Sequence, residues 1–313
     1  LVTKLLSSLL KFERVYGNET QPSNDVVNVI FKAITRVFVG IAHDYPEYLV
    51  ECHYQLLNSL PKSLVQLRNI ILAATPSNVP FVDPFTPGLK IETIASINDS
   101  PIVEYQPIED LYKAGLKKPV ENFLRIPAPG LMKNIYAGIK LSEPKAVNEI
   151  GFDKENYNVS YINALVMHVG ISAISEWNGS GEKFNTGLAQ VALLVDLANH
   201  GLVEFKYHLI SAIANQLRYP NAQTQWFIDV MIYLFLNTNI WGTNANKLVI
   251  DEIIVRVLLE RHVVSKPHPW GLTIVFAEIV KNTDYGLFEM PFILSAPKEL
   301  KTVFEALAKN VKA

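Results

Sequence analysis

Residues 187–237 read GLAQVALLVDLANHGLVEFKYHLISAIANQLRYPNAQTQWFIDVMIYLFLN. Three helix-length stretches, 187–199, 202–218 and 223–237, are punctuated by Gly201 and Pro220, residues that end helices. Leu188 to Ala198 is apolar on more than one face, and so is Val159 to Trp177 just upstream. A helix that is apolar all round must be covered by neighbours on both sides. The stretch therefore predicts helices stacked in layers.

Working outward, helical cores are expected at 131–139, 159–177, 247–264, 269–282 and 298–311 as well. Gly179, Gly181, Gly242, Pro267 and Pro297 mark their ends. Few runs alternate with period two, so strands are not expected. Alternate helix centres fall near 168, 210 and 256 in one series and 193, 230 and 276 in the other, a period of about 37–46 residues that suits HEAT-like or armadillo-like helix pairs. A globular helical bundle is the competing arrangement. Toward the amino end, Val26, Val27, Ile30, Phe31, Ile34, Val37 and Phe38 share one helix face. Asn24 or Asp25 would cap that helix and Gly40 would mark its end, while Pro46 opens a second helix and Pro61 stops it. Residues 63–74 form a third.

Nine of the 18 prolines lie between Pro76 and Pro129. Proline fixes φ and lacks an amide donor, so 76–129 is expected to be a long, mostly irregular connection with one or two short turns. The fold class expected is thus all-α, a HEAT-like solenoid formed as one domain over 1–313: helices in 1–75, the proline-rich connection, then helix pairs in 130–313.

The 313 residues carry 28 Lys+Arg against 30 Asp+Glu, which disfavours a protein that binds nucleic acid through overall charge. Hydrophobic residues make up 49%, which excludes wholesale disorder. Cys52 is the single cysteine, so an intramolecular disulfide is impossible and a reducing compartment is expected. No apolar run reaches the roughly 18 residues of a membrane helix. The chain opens at Leu1, which reads as a piece of something longer.

Catalytic constellations are missing. There is no phosphate loop, no G-x-G-x-x-G, no G-x-S-x-G and no H-E-x-x-H. The seven histidines supply no convergent metal set, so no metal or cofactor is expected. Cys52 reads as buried and inert, and Glu109-Asp110 as solvated. Two surface hypotheses remain. Tyr207, Arg218, Tyr219, Trp226, Tyr233 and Trp270 are residue types that anchor protein interfaces, although core burial is the other reading of each. Residues 113–145 hold seven bases against two acids, and Lys113, Lys117, Lys118 and Arg125 would contact RNA or an acidic peptide. Sparse aromatics make that a weak RNA site.

Several segments together resemble a known family. They are His43-Asp44-Tyr45-Pro46-Glu47-Tyr48, Gln66-Leu67-Arg68-Asn69-Ile70-Ile71-Leu72 and Asp83-Pro84-Phe85-Thr86-Pro87-Gly88-Leu89-Lys90. Ala214-Asn215-Gln216-Leu217-Arg218-Tyr219-Pro220-Asn221, Val257-Leu258-Leu259-Glu260-Arg261 and Pro267-His268-Pro269-Trp270-Gly271-Leu272 follow. Glu278-Ile279-Val280-Lys281-Asn282 and Ser295-Ala296-Pro297-Lys298-Glu299-Leu300 complete the order. In this spacing they are similar to the C-terminal domain of the large scaffold subunit of the Ccr-Not deadenylase complex. The resemblance implies a noncatalytic helical domain that docks the heterodimer of the two smaller Not subunits. In some members it also receives short peptides from RNA-binding translational repressors. It implies a role in deadenylation, mRNA decay and translational repression, in cytoplasm and nucleus.

Overall fold

The computed structural model describes residues 1–16, 25–149, 152–176, 184–237 and 239–312. Fifteen α-helices, four short 3-10 helices and one two-stranded hairpin account for the regular structure among them. The amino-terminal helices are α1 (Val2–Tyr16), α2 (Asp25–Asp44), α3 (Pro46–Ser59) and α4 (Val65–Ala73). α1 packs on α3 and α2 on α4, so alternate helices neighbour one another. Their own core holds Leu10, Phe38, Leu49, Leu56, Leu67 and Ile71. α2 runs through Gly40, where its end was expected. One helical glycine costs only about 1 kcal/mol, whereas Pro46 disfavours helical backbone at Tyr45, which adopts φ −140°. The expected cap at Asn24 and the stops at Gly179 and Gly181 lie outside the described residues.

The connection is more ordered than its prolines suggest. It holds two 3-10 turns, Ile91–Thr93 and Ala95–Asn98, and two short helices, α5 (Ile108–Lys113) and α6 (Lys117–Arg125). Pro107 and Pro119 sit at the helix starts, where a missing amide leaves no bond unmade. The connection lies across α3: Tyr105 stacks on Tyr54 with centroids 5.3 Å apart, and the Glu104 amide donates to the Glu51 carbonyl at 3.3 Å.

α7 (Pro129–Ile139) leads into a feature the sequence does not announce, an antiparallel hairpin of β1 (Lys140–Glu149) and β2 (Phe152–Tyr157). An isolated hairpin is marginal in water, and tertiary bonds hold this one. Lys62 pairs with Glu155 at 2.7 Å, and Asn156 donates to Glu204 from its amide at 2.8 Å and its side chain at 2.5 Å. Tyr157 meets Phe205 edge-on, with centroids 5.1 Å apart.

The helical train follows: α8 (Val159–Glu176), α9 (Ala189–His200), α10 (Val203–Ala214), α11 (Ala222–Leu236), α12 (Asn244–His262), α13 (Trp270–Lys281), α14 (Pro291–Leu294) and α15 (Lys298–Lys312). α8, α10 and α12 lie side by side as one layer, and α11, α13 and α15 as a second. The period of alternate helices is therefore real, and the architecture is a solenoid-like all-α one. One member departs from it: α9 packs on α6, α8 and α10, and α11 takes its place against α8. Phe205, Phe227, Leu234 and Leu272 are fully buried in the core.

Candidate docking surface

Five of the six aromatic and arginine anchors lie inside the fold: Tyr207, Arg218, Tyr219, Trp226 and Trp270 are each 8% exposed or less. Tyr233 is half-buried, its ring 5.7 Å from that of Phe184. Trp226 stacks edge-on against Phe227, with Phe184 also beside it. These side chains now read as packing first, and Tyr233 keeps the most solvent-facing position.

The α10–α11 loop accounts for the burial of Arg218 and Tyr219. Arg218 donates from Nη1 to the Val50 carbonyl at 3.1 Å and approaches His53 Nδ1 at 3.0 Å. Burial lowers its pKa to about 10 and holds His53 well below its ordinary range, so the imidazole stays neutral beside the cation. The Tyr219 hydroxyl accepts from the Ile102 amide at 3.1 Å, and the Ala222 amide donates to the Asp99 carbonyl at 2.9 Å. Asn221 caps α11 by accepting from the Thr224 amide at 3.0 Å. The Gly271 amide donates to the Arg218 carbonyl at 2.8 Å. The loop is thus a buried junction where α3, the connection, α11 and α13 meet.

The basic candidates are spread out. Lys113 donates to Asp110 at 3.2 Å, and that hydrogen bond raises its pKa. Asp110 also accepts from Tyr54 and Tyr105, both at 2.9 Å, so it is a structural acceptor and not the solvated carboxylate expected. Lys118 and Arg125 are exposed and Lys117 half-buried, at opposite ends of α6 about 12 Å apart along its axis. α6 buries Val120 and Phe123 between them.

A cleft of about 290 Å³ opens where the α3–α4 turn, β2, α8, α10 and α12 converge. Lys62, Arg68, Glu155, Tyr207, Glu260 and Arg261 line it, with a set of amide side chains, among them Asn58, Asn163 and Asn215. Its two carboxylates are engaged. Glu155 holds Lys62, and Glu260 accepts from Tyr207 at 2.6 Å and from Arg256 at 2.8 Å. Arg261 donates from Nη2 to the Ser211 carbonyl at 2.9 Å and to Asn215 at 2.8 Å, both neutral acceptors, and its Nη1 has no hydrogen-bond partner. Burial and then the neighbouring charge of Arg68 bring the Arg261 pKa down to about 9. In sequence Arg68 is a charge beside an apolar run, and Arg261 lies between Glu260 and His262.

Among the described residues no group of three or more His, Cys, Asp or Glu side chains converges on a metal position, and no helix is long and apolar enough to cross a membrane. Cys52 is buried, with its thiol 3.2 Å from Glu104, and burial pushes its pKa up to about 11, the reverse of an activated nucleophile.

The family model "CCR4-Not complex component, Not1" matches residues 1–308. The chain belongs to the Not1 family. This Not1-family chain is 38% identical over 310 residues to the Saccharomyces cerevisiae "General negative regulator of transcription subunit 1", covering 98% of itself and 14% of that protein. It is 34% identical to the Caenorhabditis elegans "CCR4-NOT transcription complex subunit let-711", of which it covers 11%. It therefore spans a small part of these relatives' length, and their names are those of regulatory and complex subunits, not of enzymes. A solved "Not1 C-terminal domain in complex with Not4" superposes with TM-score 0.82 and 36% identity, over 97% of this chain and 57% of that one. The "NOT1 superfamily homology domain from Chaetomium thermophilum" gives TM-score 0.86 at 32% identity, over 99% and 60%. The match extends to residue 1, further toward the amino end than the segments read from residue 43 onward. In this Not1-family fold the segment Ala214–Asn221 forms the buried junction, and Val257–Arg261 supplies the cleft.

Proposed function

We propose that the chain is a noncatalytic docking domain of a Ccr-Not scaffold. It receives the heterodimer of the two smaller Not subunits, and so helps assemble the machinery for deadenylation, mRNA decay and translational repression in cytoplasm and nucleus. The observation that carries this reading is the likeness, over 97% of the chain, to a solved Not1 C-terminal domain "in complex with Not4". The layered helices support it, since stacked helix pairs present long continuous surfaces on which an extended partner can lie. Short peptides of RNA-binding repressors would use the same kind of surface.

Calorimetry of this domain with the paired C-terminal regions of the two smaller Not subunits tests the reading. The expected result is a dissociation constant of about 1 μM or tighter, with a negative heat-capacity change from an interface above about 1,600 Å². No binding at tens of micromolar overturns it. Binding that disappears at higher salt, and on reversing Lys117, Lys118 and Arg125, would transfer the role to the basic surface around α6.

A further inference from the structure

We infer that the cleft between the α3–α4 turn, β2 and α10–α12 is a receptor for the carboxylate side chain of an Asp or Glu carried on an extended segment of a partner protein. The inference rests on the docking reading and names the chemistry of one contact within it. Three cations, Lys62, Arg68 and Arg261, line the cleft against two carboxylates, Glu155 and Glu260, leaving one positive charge in surplus. Glu155 pairs with Lys62, and Glu260 accepts from Tyr207 and Arg256. Arg261 is only 4% exposed, hydrogen-bonds neutral acceptors alone, and keeps Nη1 without a partner. A buried guanidinium in that position is stabilised by an incoming anion far more than an exposed one would be.

Charge and lining choose among anions. A surplus of one matches a singly charged carboxylate, and the resident glutamates oppose a dianionic phosphate. Asn58, Asn158 and Asn163 line the cleft; Asn163 already donates to Asn58 at 3.0 Å and accepts from Asn215 at 3.3 Å, while the Nδ2 groups of Asn58 and Asn158 keep donor capacity. That suits a peptide backbone passing on either side of the acid, and not a chain end.

The test pans a phage-displayed library of random peptides of about twelve residues against the intact chain. The tightest peptide is then synthesised with blocked ends. The expected result is enrichment of one Asp or Glu position, whose change to Asn or Gln weakens binding about tenfold or more. Arg261→Gln should weaken it similarly. Because Arg261 also holds α10, Val65→Glu is the second variant. Val65 lines the cleft as the first residue of α4, where an acid is well tolerated and places a carboxylate in the cleft in cis. V65E should abolish peptide binding while the isosteric V65Q retains it, both with native circular dichroism. Selection without an acid, equal binding by V65E and V65Q, tighter binding of a phosphoserine peptide, or dependence on a free C-terminal carboxylate would each overturn the assignment. Heterodimer binding without acidic selection would remove this inference alone, whereas selection without heterodimer binding would remove the proposed partner alone.

Discussion

Gly271 shows how tightly single residues are set. A Cβ there would lie 2.6 Å from Thr224 Cγ2 and 3.1 Å from the backbone of Leu217. The family segment Pro267–Leu272 needs a glycine because α13 begins against the α10–α11 loop. Gly271→Ala should therefore lower stability by about 1–3 kcal/mol, measured by urea titration, although alanine is the better helix former. Asp229, on α11, makes a second case. Burial raises its pKa to about 6, above its ordinary 3.8, despite the bond it accepts from Gln225 at 3.1 Å. Between these two values the folded chain holds a proton that the unfolded chain has lost, so this group's contribution declines as pH rises through that window. Asp229→Asn should accordingly stabilise the fold by about 1–3 kcal/mol near pH 7, with the gain vanishing near pH 4. Denaturant titrations at both pH values check the sign.

The hairpin is the element most dependent on its surroundings. Lys62 and Glu155 are both largely buried, so Glu155→Gln leaves a cation without its partner. Hydrogen exchange of residues 140–157 should accelerate roughly 10–100-fold while the amides of α10 and α12 keep their protection. Legibility divides along the same line. The train of helices was readable because apolar content, glycine and proline agree locally, and the eight expected cores match α7 to α13 and α15 within a few residues. The hairpin was not, because Lys140 to Tyr157 carries its stabilising partners elsewhere in the chain, on the α3–α4 turn and α10. α13 starts at Trp270 with Pro269 as its cap residue, one position inside the expected 269–282. In sequence Arg68 and Arg261 are members of family segments, and nothing local marks either as lining a cleft. The anchors Tyr207 and Arg218 carry the same ambiguity, which burial resolves toward packing in the isolated chain.

Across the whole molecule, two apolar cores meet through few but specific bonds. Asn69 donates to the Arg261 carbonyl at 2.7 Å, Arg218 reaches Val50, and Tyr219 sits in the core of α1 to α4. We propose that the chain unfolds as one unit. All four tryptophans lie at or beyond residue 177, so indole fluorescence reports on the helical train alone, whereas far-ultraviolet circular dichroism reports on every helix. Coincident thermal transitions by the two probes are the expected outcome, and an earlier dichroism transition would show that α1 to α4 melt separately. The bonds from Asp99 and Ile102 to the α10–α11 loop carry a mechanical consequence. A simple solenoid pulled at its ends is a spring whose repeats peel away one after another. Here the connection doubles back and is stapled to the loop, so tension along the chain is shared between two parallel strands of the circuit, and the stretch from α3 to α11 resists force as a closed link.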